Sequence, residues 1–206
     1  MIKLYAGAAV AAVALGLGVG VLYTMRSAGG DGPFDPCRTG VVGGVAELGG
    51  PFTLVAQNGE TVTEEEVFTK PSLVYFGYTF CPDVCPLDVT RNVEAIDLLQ
   101  DQGKDIQPVF VTIDPERDTP EVLTDYAAYM HEDLVGLSGT VEQVRDAATA
   151  YGVYFKKQDT GDEFYLVDHS TFSYLVFPEE GFVEFFRRDL TSEALADRVA
   201  CFLDAA

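Results

Sequence analysis

Two cysteines, Cys81 and Cys85, have the spacing in this chain that most clearly points to chemistry. They lie four residues apart in the segment Phe80–Pro86, directly after an apolar run and directly before a predicted helix. Backbone N–H groups at a helix start stabilise negative charge, so a thiol at this junction loses its proton more readily. Residues i and i+4 on a first helical turn face the same way, which brings them close enough to share a ligand or to form a disulfide after local adjustment.

Three kinds of site fit this pair of cysteines. A structural disulfide across so short a loop adds little stability, because stabilisation grows with loop length. Thiol–disulfide exchange is the second, although it usually uses two intervening residues rather than three. Metal binding is the third, because two thiolates are a soft donor set suited to Cu(I) or zinc, and an imidazole would complete a three-ligand site. The spacing does not decide between exchange and metal binding.

The chain offers two histidines as a third ligand. His169 lies in a predicted turn between two apolar, strand-like segments, where it is either a ligand or a hydrogen-bonding loop residue. Its neighbour Asp168 is interpreted as a solvated turn carboxylate, because neighbours in extended chain point to opposite faces. His131 follows a predicted helix in an acidic segment, which indicates a helix-end residue.

The elements that must position these side chains alternate between strands and helices. Continuous apolar runs predict strands buried on both faces, and an Asn58-Gly59 turn predicts a hairpin. Alternation of this kind indicates an α/β domain with a mixed central sheet. The predicted strands are Phe52–Val55, Thr61–Thr63, Leu73–Tyr78, Ile106–Ile113, Val153–Lys156, Phe164–Val167, Tyr174–Phe177 and Val183–Phe186, and the predicted helices are Leu87–Leu99, Pro120–Met130, Val141–Tyr151 and Ser192–Leu203.

The composition excludes some classes of partner. The 206 residues include 13 Lys and Arg against 33 Asp and Glu, a net charge of −20, and 48% of them are hydrophobic. The hydrophobic share is too high for a disordered chain. Binding to phosphates takes clustered basic side chains, so the charge argues against a nucleic-acid partner and against polybasic attachment to anionic lipid.

The N-terminal segment, residues 1–26, predicts a membrane anchor. Leu4–Met25 is a run of 22 residues without a charge, and about 20 apolar residues span a bilayer as a helix. The alternative is a cleaved signal segment, whose apolar core is usually shorter, about 7–15 residues. Either one exports the acidic domain, so we expect a single-pass inner (cell) membrane protein with its soluble domain in the periplasm or an equivalent compartment. Residues 27–38 are then a linker and residues 39–206 the domain.

Four ordered segments resemble the Sco/SenC family, copper-handling assembly factors for cytochrome c oxidase. Gly77–Pro86 (GYTFCPDVCP) resembles the family's cysteine signature. Val111–Pro120 resembles its second-strand motif, Leu137–Thr140 its short third-strand motif, and Val167–Thr171, leading into Tyr174-Leu175, its histidine motif. Together they span most of the chain from about Gly43 to the C-terminus.

The resemblance implies a thioredoxin-like fold with a mixed central sheet flanked by helices, and it implies that Cys81, Cys85 and His169 bind one copper ion, as Cu(I) or Cu(II), per domain. The implied function is a membrane-anchored metallochaperone that takes copper from an upstream donor and passes it to the dinuclear centre of cytochrome c oxidase subunit II. The alternative is a thiol–disulfide oxidoreductase, with Cys81 and Cys85 as the redox-active pair, that reduces cysteines of that or another exported protein. Oxidation of the pair would remove both sulfur donors, so copper binding and thiol redox state are coupled.

A peroxidase is a weaker third hypothesis. Peroxiredoxin-like sites also place Cys-Pro after an aromatic strand, but their threonine stands three residues before the cysteine. Thr79 stands two residues before Cys81.

Several other residues have more than one interpretation. Cys37 and Cys201 lie outside the motifs. Either they form a disulfide, expected in an exported domain, or Cys201 is a buried apolar residue and Cys37 is a free or intermolecular thiol. Arg117 and Asp118 form a loop ion pair or cap the following helix. Asp83, between the two cysteines of the motif, is a helix cap or an electrostatic influence on copper.

Overall fold

The computed structural model describes residues 32–38, 48–158, 161 and 164–206. The chain divides into two compact units, Met1–Thr39 and Gly40–Ala206. In the first unit, Asp35–Cys37 forms a short 3-10 helix. The predicted anchor and the first part of the linker lie outside the described residues, and none of the helices within the described ranges is both long and apolar enough to cross a membrane.

The second unit is built on a seven-stranded mixed sheet with the strand order β2-β1-β5-β4-β3-β8-β9. The β3–β4 and β4–β5 pairs are parallel, whereas the other neighbours in the sheet are antiparallel. The predicted α/β class with a mixed sheet is therefore confirmed. The strands are β1 (Thr53–Ala56), β2 (Thr61–Thr63), β3 (Ser72–Gly77), β4 (Gln107–Thr112), β5 (Val135–Ser138), β8 (Ser173–Phe177) and β9 (Gly181–Phe186), and β6 (Phe155–Lys157) and β7 (Val167–His169) form a separate two-stranded sheet.

The adjacent parallel strands β3 and β4 lie at the centre of the sheet and confirm two of the predicted buried strands. Every residue of both strands is buried, and Val74 stands opposite Val109 in the register. Side chains alternate between the two faces of a strand, so burial of every residue means that both faces are covered here. The site loop that follows β3 therefore leaves from a rigid part of the molecule.

The helices begin where the sequence supplies caps, with one exception. Thr119, Thr140 and Thr191 each accept a hydrogen bond from a backbone N–H of the first turn that follows, which satisfies donors that would otherwise lack a partner. Asp83 precedes the longest helix but makes no side-chain cap, so the predicted capping role of Asp83 is wrong. The helices are α1 (Glu64–Val67), α2 (Val84–Asp101), α3 (Pro120–Met130), α4 (Val141–Ala150) and α5 (Ser192–Ala205).

The hairpin of β6 and β7 corrects one sequence prediction. The strand predicted at Phe164–Val167 begins only at Val167 and runs to His169. Phe164 and Leu166 are 83% and 44% exposed, whereas Tyr165 between them is buried, so only one residue of the apolar run before the strand faces the core. His169 is consequently the last residue of a strand rather than a turn residue, and the antiparallel ladder fixes its direction.

Candidate metal centre

The structure brings together the three residues singled out in the sequence as metal ligands. The sulfur atoms of Cys81 and Cys85 and a ring nitrogen of His169 all lie within 4.8 Å of one another. The Sγ atom of Cys85 is 3.2 Å from Nε2 of His169. Two soft sulfur donors and one imidazole nitrogen are a suitable ligand set for copper.

The imidazole of His169 presents its Nε2 atom to the sulfur atoms. Its Nδ1 atom lies 2.7 Å from the backbone carbonyl oxygen of Ser170. A carbonyl oxygen can only accept, so Nδ1 carries a hydrogen, and Nε2 is the ring atom that faces the sulfurs. The rings of Tyr75 and Tyr78 stand edge-on to the imidazole, with centroids at 6.2 and 5.9 Å. The ligand nitrogen is therefore oriented before any metal arrives.

The hairpin that carries His169 is tied to the cysteine-bearing side of the site. The backbone N–H of Val167 donates to the hydroxyl of Tyr78, which follows β3, at 3.3 Å. Burial raises the pKa of Tyr78 to about 12, so this hydroxyl is neutral at physiological pH. Asp168 is exposed and accepts a hydrogen bond from Gln158, in agreement with its interpretation as a solvated carboxylate.

The Cys81 sulfur takes the place of the missing helix cap. The backbone N–H of Cys85, in the first turn of α2, donates to Sγ of Cys81 at 3.4 Å. A hydrogen bond from the Cys85 thiol lowers the pKa of Cys81 most, and hydrogen bonds from His169 and from the backbone of Asp83 and Cys85 lower it further. The same bond to Cys81, together with burial, raises the pKa of Cys85. The reduced pair therefore holds one negative charge, on Cys81, and one proton, on Cys85.

Gly77 makes room for the Cys85 sulfur, a role that the sequence interpretation missed. A Cβ atom at this position would lie 3.1 Å from Sγ of Cys85 and 2.8 Å from a ring carbon of Tyr75. Both distances are below ordinary van der Waals contact. The available signal in the sequence was a glycine at the end of a buried strand. Glycine at such a position often marks a place where another group approaches the backbone closely.

Asp118 links the cysteine loop to the ends of two strands, so the predicted capping role of Asp118 is wrong. Its carboxylate accepts hydrogen bonds from the backbone N–H and the hydroxyl of Thr79 and from the hydroxyl of Thr112. Its backbone carbonyl accepts from Ser138, the last residue of β5. Burial raises the pKa of Asp118, although these hydrogen bonds oppose the shift. The cap of α3 is Thr119 instead.

Arg117 forms an ion pair, but with Asp114 rather than with its neighbour Asp118. Nε of Arg117 lies 2.5 Å from a carboxylate oxygen of Asp114. The guanidinium carbon lies 3.6 Å from the ring centroid of Tyr165 and 4.9 Å from that of Phe80, the residue before Cys81. The Arg117 guanidinium therefore packs against the cysteine loop from the side of β4 and helps to hold it in place.

The remaining sequence candidates lie outside this cluster. His131 caps the C-terminus of α3, and its ring nitrogens bind Asp97 and the backbone N–H of Asp133, as expected of a helix-end residue. Cys37 and Cys201 are each disulfide-bonded, and their pairing with each other stays a prediction. Cys81 and Cys85 are free thiols.

Comparisons with known proteins place this site in a family context. The family model described as SCO1/SenC matches residues 42–204. The chain is similar to Protein SenC of Rhodobacter capsulatus, with 49% identity over 203 residues that cover 98% of this chain and 91% of that protein. It is 40% identical over 163 residues to the mitochondrial Protein SCO1 homolog 1 of Arabidopsis thaliana, covering 79% of this chain and about half (49%) of that protein.

The fold is similar to a solved structure of the same family. The crystal structure of Arabidopsis thaliana ScoI with copper bound superimposes with a TM-score of 0.70 and 38% identity. The superposition covers 77% of this chain and 97% of that one. The copper in that structure belongs to the relative.

The charge distribution predicts which thiol reacts first. In the reduced protein, iodoacetamide should alkylate Cys81 before Cys85, because the thiolate is the nucleophile and Cys85 is only 1% exposed. The rate should stay nearly constant as the pH falls from 8 to 6, since a lowered pKa keeps Cys81 ionised, whereas an ordinary thiol with a pKa of about 8.5 slows about tenfold per pH unit below its pKa. Peptide mass spectrometry checks the site. A rate that falls in parallel with that of a model thiol would contradict the assigned charge.

The Asp118 network predicts a specific loss of stability. Asp118→Asn replaces one accepting oxygen by an NH₂ group and leaves a donor of the network without an acceptor, so the free energy of unfolding should fall by about 1–3 kcal/mol. Denaturant titration measures this change. Asp168→Asn is the matched control, because that exposed carboxylate should change stability by less than about 0.5 kcal/mol. Equal stability of the two variants would show that the buried network is not needed.

Proposed function

Because the chain belongs to the SCO1/SenC family, we propose that it is a copper metallochaperone, anchored in the inner membrane, that delivers copper to the dinuclear centre of cytochrome c oxidase subunit II. Proteins of this family take part in copper delivery and cytochrome c oxidase assembly. Copper is the cargo of this function rather than a resident cofactor. The ion is received from an upstream donor on the exported side of the membrane, where the acidic domain lies.

The observation that carries the proposal is the convergence of two sulfurs and one imidazole nitrogen within 4.8 Å. The thiolates of Cys81 and Cys85 favour Cu(I), and the nitrogen of His169 makes Cu(II) more acceptable. Ligands must be deprotonated, so loading the reduced site releases the proton that Cys85 holds. One ion per domain satisfies the three ligands.

The unequal burial of the two sulfurs supports transfer by ligand exchange. Cys85 is 1% exposed, and Cys81 is 9% exposed and lies beside the more open Phe80. An incoming thiolate or imidazole of the acceptor therefore meets copper from the side of Cys81. Three protein ligands leave a position for that incoming group, so the ion need not pass through water.

Thiol–disulfide exchange on the same residues is the alternative function. The thiolate of Cys81 would attack a target disulfide, one target sulfur would leave as a thiolate, and Cys85 would then displace the second target sulfur. The target gains two electrons, and the pair ends as a Cys81–Cys85 disulfide. The lowered pKa of Cys81 favours this reaction. An exported dithiol reductant must then restore the pair.

Substitution of the imidazole separates the two functions. His169→Ala should weaken copper binding by more than about tenfold, because loss of even an outer-shell partner costs that much, while disulfide exchange persists on the two thiols. His131→Ala is the matched control, since it removes the other histidine of the chain from a position outside the cluster. Copper stoichiometry and affinity are measured by competition titration of the reduced protein. If His169→Ala binds copper as tightly as the wild type, the three-ligand site is wrong.

A transfer experiment tests the acceptor. Copper-loaded protein is mixed with the copper domain of oxidase subunit II, prepared with its cysteines either reduced or oxidised. Copper transfer to the reduced acceptor alone supports a metallochaperone. Reduction of the oxidised acceptor by the metal-free protein, without copper transfer, would support the oxidoreductase instead.

A further inference from the structure

The two-stranded sheet that carries His169 has an unpaired edge on β6. The backbones of Tyr154 and Gln158 are hydrogen-bonded across to the β7 side of the hairpin. Hydrogen-bonded and non-hydrogen-bonded positions alternate along an antiparallel pair. The N–H and C=O groups of Phe155 and Lys157 therefore point away from β7, and they have no backbone partner within the described ranges. Such an edge is a template for a further strand.

A cavity of about 500 Å³ lies against this edge. Residues 154–157 all line the cavity. A strand face would contribute every second residue, so four consecutive lining residues indicate that the edge itself is open to the cavity. The other lining comes from α4, from the loop after β4, from Val153 and from Val167 of β7.

The side chains around the cavity leave apolar surface open to solvent. Val141 and Tyr154 are 46% and 59% exposed, and both line the cavity. Val144 and Val153 form its buried floor. Exposed apolar groups beside an open strand edge match the side-chain pockets that strand-addition sites use.

Three cations and two carboxylates, Asp114 and Glu116, line the cavity, so its charge is net positive although the chain has a net charge of −20. Arg145, Lys156 and Lys157 all line it. Lys157 is paired with Glu116, whereas Arg145 and Lys156 form no ion pair with any residue that the structure describes. Two unpaired cations on so acidic a protein complement a negatively charged ligand.

We propose that β6 and this cavity bind an extended, acidic segment of a partner protein by addition of a strand to β6. The backbone of the segment pairs with Phe155 and Lys157, its apolar side chains enter the cavity, and its carboxylates meet Arg145 and Lys156. A second copy of this chain fits less well, because antiparallel pairing of two β6 strands brings lysines together and like charges on facing strands repel.

This binding site is separate from the metal ligands but is coupled to them through the hairpin. A third strand adds hydrogen bonds on the outer edge of β6, and β7 carries His169 on the other side of the same ladder. Occupancy of the edge therefore stabilises the position of the imidazole. The segment binds through the strand edge, the cavity and the charges, and its binding does not require copper at the metal centre.

The test uses the full-length, detergent-solubilised protein and a capped octapeptide that alternates glutamate and valine, with a lysine–valine octapeptide as the opposite-charge control. Amide exchange and chemical shifts are followed by NMR. We expect the glutamate peptide to protect the amides of Phe155 and Lys157 and its affinity to fall as salt rises. Arg145→Glu and Lys156→Glu should each weaken it by about threefold or more. Lys70→Glu is the matched control, because that partly exposed cation, paired with Asp105, lies outside the cavity.

Three outcomes would overturn the proposal. One is equal binding of the lysine–valine peptide, and another is protection of amides elsewhere with none at Phe155 and Lys157. The third is protection of these amides in the protein alone that rises with protein concentration, which would identify a second copy as the occupant. Both charge reversals lie on exposed side chains, so they test the site without disturbing the core. Copper affinity, measured in parallel with and without peptide, distinguishes failure of docking from failure of the metal site.

Discussion

The structure depends on one electrostatic constraint. The sulfur atoms of Cys81 and Cys85 are in contact with the buried core, yet together they must hold a negative charge. The start of α2 meets that constraint, because Asp83 provides no capping oxygen and the Cys81 sulfur accepts a backbone N–H in its place. Such N–H groups carry a partial positive charge whether or not metal is present. The thiolate is therefore stabilised by the helix, and the helix start is satisfied by the thiolate. A side-chain cap of the usual kind would compete with the site for the same donors.

The remaining ligand comes from a distant part of the chain, so its position has to be fixed by separate contacts. Tyr78 joins the end of β3 to the backbone of β7, and Asp118 holds the loop that precedes Cys81. Each of these side chains is buried, and a buried polar group stabilises a position only when its hydrogen bonds are made. The two contacts explain how a loop and a hairpin, both usually mobile elements, hold ligand atoms within a few ångströms.

The sequence predicted what depends on local pattern. The apolar runs predicted β3 and β4, and the Asn58-Gly59 turn predicted the first hairpin. It misplaced β7, because the apolar residues Phe164 and Leu166 are exposed and do not continue a buried strand. The residue pattern alone did not predict β5, whose four residues include a glycine. Only the family resemblance indicated a strand there. The roles of Asp118 and Gly77 depend on contacts with residues of other elements. The spacing of residues along the chain does not predict such contacts.

Copper binding and thiol–disulfide exchange each use both sulfurs, so neither reaction can be assigned to one cysteine alone. What the fold does separate is access. The buried thiol of Cys85 is held against Gly77 and His169, whereas Cys81 lies at the surface end of the site. A target must therefore meet Cys81 first in either reaction. With the imidazole already turned toward Cys85, a metal ion arriving at Cys81 finds its other two ligands in place, whereas a disulfide target gains from the ring only through the lowered pKa of Cys81. Exchange uses the imidazole only as a hydrogen-bond donor to Cys81, whereas a metal site would use its nitrogen as a ligand, and a donor set of two sulfurs and one nitrogen suits copper.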